Sequence, residues 1–422
     1  MQCELKGKRL LVLGGSLWHT AIRQFCAENG VTVVAAGNDP AAGICRMADE
    51  YYNVDATDGE AMKRLIADKR IDGVYMGGSE PVIASACRYI GELGLPCYCN
   101  ETQWNALQNK SFFKELCVRF GLPVVKRFEK GAVTDADLPV ITKPADGFGS
   151  NGFSVCRDRA GLEEGYRRAA EVSPTGSVVI EQFVPNDGVV VFYTVSRGQL
   201  LFSTLEDKYP VLFKPYGTYV GGLFDFESSL KTEFRELFES KIQKLIRHLG
   251  IREGNFWIEV FHHNDRYYFN EVGFRYGGSG SLYPVDYFSG LNQAAADIYY
   301  ALTGKSRVRG FTPLYGPDIP RGKRYAIYPV FVKPGVIDRM EGLQALSESA
   351  GILNVLLMKK EGSRIPDNGS FGQAAVLVHL LYADVTELQN TLRHIHKTLQ
   401  IRDAGGHDMV LRLIDVDGFT LR

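Results

Sequence analysis

The first quarter of the chain alternates short apolar runs with amphipathic segments. Apolar runs that predict buried strands alternate with segments of helical periodicity at residues 8–13, 17–29, 31–36, 58–69, 73–76 and 80–94. Strands that alternate with helices indicate a doubly wound parallel sheet, which we expect to end near residue 107. Gly14, Gly15 and the GGSEP stretch at 77–81 lie at strand ends. Ligands of α/β domains usually bind there, although simple turns explain these glycines equally well.

Beyond residue 107 the pattern becomes mixed. It predicts helices at 109–120, 158–172, 230–249, 290–302 and 386–399, with strands between them. The segment 206–226 is rich in Gly, Pro and Tyr and is predicted as a long loop, as is 277–290. Lys208 and Lys214 in the first loop could face a phosphate or a carboxylate, but we favour solvated lysines. Residues 323–422 predict a separate, small β-rich domain.

Residues 256–278 predict a hairpin in which each strand carries one acidic residue among apolar neighbours, Glu259 and Glu271. Facing side chains of a hairpin lie about 5 Å apart, close enough to share a divalent cation. A two-residue turn pairs Glu259 with Asn270, whereas a three-residue turn pairs Glu259 with Glu271. We therefore predict a three-residue turn at 264–266, with Asn or Asp at positive φ. The alternative is an ordinary hairpin with solvent-facing carboxylates.

A second motif lies at residues 138–156, LPVITKPADGFGSNGFSVC. A strand-like run reaches Lys143 and is followed by a loop that is rich in small residues, Gly147, Gly149, Ser150, Asn151 and Gly152. Such loops let the backbone approach phosphates closely, and the lysine adds a positive charge. The loop is not a Walker motif, because GxxxxGK[ST] is absent and a strand follows. The loop alone is a weak signal, but the hairpin carboxylates strengthen it.

Together these motifs resemble the ATP-grasp superfamily, and most closely its branch of carboxylate–amine ligases and biotin carboxylases. The segments that carry the resemblance occur in family order: NKSFFKELCVRFGLP, VITKPADGFGSNG, VVIEQFVPND, FWIEV and FNEVGFRYGG. The resemblance implies an N-terminal α/β domain over 1–107, an ATP-grasp domain over 108–315 with a small α/β lid at about 122–185, and a β-rich C-terminal domain over 316–422.

The resemblance also implies roles for individual residues. It assigns the ATP phosphates to Lys110, Lys143 and the glycine loop, and Mg²⁺ to Glu259 and Glu271. It also assigns the adenine edge to the segment Glu181 to Val184, with Phe183 and Val184 beside the ring. It assigns the ribose to Asp187, and the substrate carboxylate or the transferring phosphoryl group to Arg275. Gly273 departs from the family, which usually has an asparagine there that meets the metal. We expect Gly273→Asn to tighten metal binding.

Composition and charge narrow the class of protein. The chain has 422 residues and a net charge of −1, which gives no sign of a nucleic-acid or membrane partner. Its eight cysteines all lie within the first 156 residues and form no zinc-type spacing, so we expect free thiols in a reducing cytoplasm. No apolar run approaches the ~20 residues that span a bilayer. The oligomeric state stays open, with a homodimer common in this branch.

Three functions compete. The first is an ADP-forming ligase that activates a carboxylate as an acyl phosphate for attack by an amine, with amino-acid or peptide-like substrates. The second is a carboxylase-type enzyme that makes carboxyphosphate, which the residues after Arg275 disfavour because YGGSGSLY contains neither an acid nor a histidine. The third is a nucleotide-binding protein with weakened catalysis, suggested by Gly273 but opposed by the presence of Glu259, Glu271 and Arg275.

Overall fold

The computed structural model describes residues 2–14, 17–145, 152–185, 187–214, 218–315 and 319–422. It begins with a parallel sheet in the order β3-β2-β1-β4. The elements of this part are α1 (Gln2–Leu5), β1 (Arg9–Leu13), α2 (His19–Asn29), β2 (Thr32–Ala36), α3 (Gly43–Met47), β3 (Glu50–Tyr52), α4 (Gly59–Asp68), β4 (Gly73–Tyr75), α5 (Glu80–Glu92) and α6 (Glu101–Gln108). Alternate residues of β1 pack into different cores, Leu11 with α4 and α5, and Val12 with α2. The predicted doubly wound α/β arrangement is thus confirmed.

A short helix leads from this sheet into a small lid. Helix α7 (Lys110–Arg119) begins where the Asn109 side chain accepts a hydrogen bond from the backbone N–H of Phe112, at 2.9 Å. The lid sheet is antiparallel, in the order β5-β8-β6-β7, with a helix against it. Its elements are β5 (Arg127–Phe128), β6 (Val140–Pro144), β7 (Ser154–Cys156), α8 (Arg159–Val172) and β8 (Val178–Gln182).

The body of the molecule is one large antiparallel sheet in the order β13-β12-β9-β10-β11-β14-β19-β17, with β21 beside β14. Its first elements are β9 (Gly188–Ser196), β10 (Gln199–Phe213), β11 (Thr218–Phe226), α9 (Lys231–His248), β12 (Glu253–His263), β13 (Arg266–Gly273), α10 (Leu282–Ser289) and α11 (Gln293–Thr303). The predicted loop at 206–226 is wrong, because most of it forms β10 and β11. A register shift at Tyr209/Pro210 lets the sheet accommodate the proline.

The C-terminal strands extend this same sheet, which differs from the separate domain that the sequence suggested. β14 pairs with β11, and β19 and β17 follow it. The elements are β14 (Arg324–Val332), β15 (Gly335–Val336), β16 (Arg339–Glu341), α12 (Leu343–Ser347), β17 (Ile352–Leu357), β18 (Arg364–Ile365), β19 (Ala374–Tyr382), α13 (Val385–Thr398), β20 (Gln400–Arg402) and β21 (Val410–Leu411).

Both faces of the large sheet are covered near β9, β10 and β12. Val189 and Leu205 face a core that includes Phe234 and Phe238 of α9. Val190 faces a second core under α10 and α11. Helix α10 corrects the loop predicted at 277–290; its Pro284 falls in the first turn, where proline is tolerated. Among the described residues, no helix is both long and apolar enough to cross a bilayer.

Candidate active site

The acidic hairpin places Glu259 and Glu271 opposite each other, as the sequence suggested, but it does so through a bulge and not through a three-residue turn. The predicted three-residue turn is wrong: His263 pairs with Arg266, so only Asn264 and Asp265 form the turn, with φ of 50° and 55°. A two-residue turn alone would pair Glu259 with Asn270. A bulge at Glu259/Val260 shifts the register by one residue, so that Glu259 pairs with Glu271.

Each of these carboxylates has a lysine counter-ion. Lys110 Nζ lies 2.7 Å from Glu271 Oε2, and Lys208 pairs with Glu259 Oε1. Burial raises the pKa of Glu259, but the charge of Lys208 and the hydrogen bonds from Lys208 and Asn270 outweigh it, so the pKa is lower than usual. Lys208 is not the solvated lysine that the sequence favoured, since its side chain is only 11% exposed. The hairpin therefore presents two facing carboxylates, each paired with a lysine.

Two lysines share one carboxylate between the lid and the body. Glu181 on β8 accepts from Lys114 Nζ at 2.6 Å through Oε1 and from Lys143 Nζ at 2.7 Å through Oε2. The side chains of Glu181 and Lys114 are 3% and 8% exposed. Burial, together with repulsion from Lys143, lowers the pKa of Lys114 to about 8. This lysine triad (Lys114, Glu181 and Lys143) carries one excess positive charge, which an anion would neutralise.

Sequence reasoning found Lys143 but missed Lys114. The available signal was spacing: Lys114 follows Lys110 by one helical turn on α7, so both can face the same side. Its partner Glu181 is 67 positions away, which no local pattern reveals. The Glu181 side chain binds lysines, while the adenine-edge role assigned to its segment stays a prediction.

A cavity of about 340 Å³ lies between the end of β8 and the acidic hairpin. It is lined by Gln182, Phe183, Val184, His263, Asn264, Arg266 and Tyr268. Phe183, Val184 and Tyr268 give the cavity apolar and aromatic walls and the other four side chains are polar, a combination that can hold a flat heteroaromatic ring. Phe183 and Val184 line this cavity, and their place beside adenine stays a prediction. Asp187, the candidate for the ribose, pairs with the guanidinium of Arg422.

Arg275 connects the acidic hairpin to the N-terminal sheet. Its Nη2 and Nε donate to Glu80 Oε1 at 2.6 and 3.0 Å, and its guanidinium carbon lies 5.4 Å from the Trp257 ring centroid. Glu80 begins α5, just beyond the carboxyl end of β4. A guanidinium held from two sides presents its remaining donors in a fixed direction, which suits an oxyanion. The anion-binding role of Arg275 stays a prediction.

Gly273 is a glycine for a steric reason. A Cβ there would lie 2.4 Å from Cε2 of the Trp257 indole, closer than any real contact. An asparagine at 273 would therefore have to displace Trp257. This geometry opposes the expectation that Gly273→Asn simply tightens metal binding.

The structure describes only part of the glycine loop. Gly147, Gly149, Ser150 and Asn151 lie outside the described residues. Gly152 has φ +76°, and a Cβ on it would lie 2.9 Å from Pro144 Cγ. Glycine is thus required at this position both by its backbone conformation and by the close approach of Pro144.

The acidic hairpin fits a magnesium ion that also binds phosphates. Among the described residues there is no group of three or more His, Cys, Asp or Glu side chains placed to hold a metal. Mg²⁺ does not need one, because it is commonly held by one or two carboxylates together with substrate phosphates. Glu259 and Glu271 face each other as two such carboxylates, each beside a lysine. Their roles in holding the metal, and those of the lysines in holding phosphates, stay predictions.

Comparison with known proteins agrees with this fold. Residues 108–279 match the model of the ATP-grasp domain family. The phosphoribosylamine–glycine ligase of Methanopyrus kandleri is 28% identical over 165 residues, which cover 36% of this chain and 36% of that protein. Residues 108–279 therefore belong to the ATP-grasp domain family.

Solved structures share the architecture over nearly the whole chain. The L-amino acid ligase from Bacillus licheniformis has a TM-score of 0.71 at 21% identity, covering 94% of this chain and 98% of that one. The biotin carboxylase domain of the 2-oxoglutarate carboxylase of Hydrogenobacter thermophilus has a TM-score of 0.73 at 18% identity, covering 96% and 91%. At these identities the likeness concerns the fold alone.

Proposed function

We propose that this protein is an ADP-forming ligase that phosphorylates a carboxylate with MgATP and joins the acyl group to an amine. The observation that carries the proposal is the juxtaposition of Glu259 and Glu271, each with its own lysine, beside a triad with excess positive charge. The first two curated relatives are matched over 36% and 28% of their lengths, so their activities support the proposal only in outline.

In this proposal the lysines exchange partners when nucleotide binds. Lys143 and Lys114 would attract phosphate oxygens, and Lys110 and Lys208 would turn from the carboxylates toward phosphates. A magnesium ion held by Glu259 and Glu271 would neutralise the phosphate charge. Phosphoryl transfer depends mainly on positioning and charge neutralisation, which the rearranged lysines and the two carboxylates would supply.

Arg275 would bind the carboxylate that receives the phosphoryl group. A carboxylate oxygen attacks the γ-phosphorus, ADP leaves, and the acyl phosphate forms. An amine then attacks the acyl carbon, inorganic phosphate leaves with the former carboxylate oxygen, and the ammonium proton passes to solvent or to a base. The lid would exclude water from the acyl phosphate. Amino-acid or peptide-like molecules are the proposed substrates, with the cytoplasm as the compartment, which the free thiols of the seven described cysteines support.

Trapping with hydroxylamine tests this proposal. The purified protein is incubated with MgATP, hydroxylamine and single amino acids, and ADP and hydroxamate are both quantified. The proposal expects equal amounts of the two for at least one carboxylate. ADP formation that depends on bicarbonate alone would favour the carboxylase-type reaction. Nucleotide binding without ADP formation would favour a protein with weakened catalysis.

A further inference from the structure

The bulge in the acidic hairpin does more than align two carboxylates. In a regular strand, consecutive side chains point to opposite faces. On β13, Asn270 and Glu271 are both half-buried, while Phe269 before them and Val272 after them are buried in the core. The register shift at Glu259/Val260 thus brings two consecutive polar side chains to the same face. Bulges commonly redirect a side chain beside an active site.

Asn270 uses this position to contact Glu259 directly. Its Nδ2 donates to Glu259 Oε2 at 2.6 Å, while Lys208 occupies Oε1. Both oxygens of the carboxylate are therefore held, one by a cation and one by a neutral amide. The two donors differ in effect: the lysine cancels the charge of Glu259, whereas the amide fixes its orientation and leaves its charge for a metal ion.

We propose that Asn270 is a positioning residue for the divalent cation, since its amide orients the Glu259 carboxylate toward Glu271. The inference rests on the proposed function, because it takes these two carboxylates as the metal ligands. Hydrogen bonds to ligating carboxylates are typically worth about 10–100-fold in metal affinity. When Lys208 turns away, the bond from Asn270 is the contact that keeps Glu259 in place.

Mn²⁺ binding in the presence of ADP tests this role without reference to turnover. The affinity is measured by electron paramagnetic resonance for the wild type, Asn270→Leu and Asn270→Asp. Asn270→Leu removes the donor and is expected to weaken Mn²⁺ binding at least about tenfold. Asn270→Asp replaces the donor with a repelling charge and is expected to weaken it at least as much. ADP affinity without metal should stay unchanged in Asn270→Leu, which alters no charge, whereas a general structural defect would lower it too.

The control is Asn105→Leu, the same substitution at an exposed position of α6. Unchanged Mn²⁺ affinity in Asn270→Leu would overturn the inference. Tighter Mn²⁺ binding in Asn270→Asp would also overturn the inference, because position 270 would then act as a ligand and not as a positioning donor. If Asn270→Leu does not fold, the Mn²⁺ affinity of Asn270→Asp still tests the inference. If the wild type with ADP binds no Mn²⁺ at all, the proposed function fails instead, so the two failures are distinguishable.

Discussion

Replacement of Lys114 by methionine tests the electrostatic reading of the lysine triad. Lys114 and Lys143 contact the two oxygens of the same carboxylate, at 2.6 and 2.7 Å. A phosphate bound by Lys143 would therefore lie within about 8 Å of the Lys114 ammonium. At an effective dielectric constant of ~20, a unit charge at that distance contributes about 2 kcal/mol, or ~30-fold in affinity. Lys114→Met should therefore weaken ADP binding about 30-fold.

Titration calorimetry with ADP, with and without Mg²⁺, measures the effect directly. Lys130→Met is the matched control, since Lys130 lies on the lid surface and pairs with Glu163. This variant should bind ADP like the wild type. Methionine keeps the length of the buried side chain without its charge, so the fold should remain intact. An unaltered ADP affinity in correctly folded Lys114→Met would refute the claim that the excess charge of the triad attracts phosphate.

Further predictions follow from the same contacts. The pKa of Lys114 is about 8 in the folded protein and 10.5 ordinarily, so between these pH values the unfolded chain keeps a proton on Lys114 that the folded protein has lost. The free energy of unfolding of the wild type, measured with urea, should therefore gain up to about 3 kcal/mol over that of Lys114→Met as pH rises from about 8 to about 10.5. A constant difference between the two proteins over this range would contradict the buried charge. Glu271→Gln should lower ADP formation at least about 100-fold with the fold intact, while Asp265→Asn at the turn should not; equal activities would remove Glu271 from the site. Gly273→Ala should destabilise by about 1–3 kcal/mol because its Cβ would meet Trp257, measured against Gly278→Ala, where a Cβ meets nothing within 4 Å.

Much of the architecture could be predicted because its signals are local. Alternating strands and helices define the N-terminal sheet, and the helix boundaries at α5, α7 and α8 lie within two residues of the expected ones. The strand–loop–strand pattern around Lys143 and the acidic strands around Glu259 and Glu271 are visible for the same reason. These features depend on periodicity and composition, which a sequence displays directly.

The features that the sequence did not reveal depend on distant partners. Lys114 becomes part of the site through Glu181, and Lys208 through Glu259, 51 positions away. The long strands β10 and β11 contain Pro and Gly, which locally suggest a loop, but neighbouring strands on both sides stabilise them. The bulge at Asn270, opposite Glu259 and Val260, has no local signature, so the sequence led to the correct carboxylate pairing through the wrong turn.

The most direct test of carboxylate activation through an acyl phosphate follows one oxygen atom through the reaction. The amino-acid substrate identified in the trapping experiment is labelled with ¹⁸O in its carboxylate, and the protein is incubated with it, an amine and unlabelled MgATP. Mass spectrometry then gives the isotopic content of the phosphate released. Carboxylate activation through an acyl phosphate predicts one ¹⁸O per phosphate, because the former carboxylate oxygen leaves with the phosphoryl group. Phosphate without ¹⁸O, or release of pyrophosphate in place of phosphate, would contradict the account.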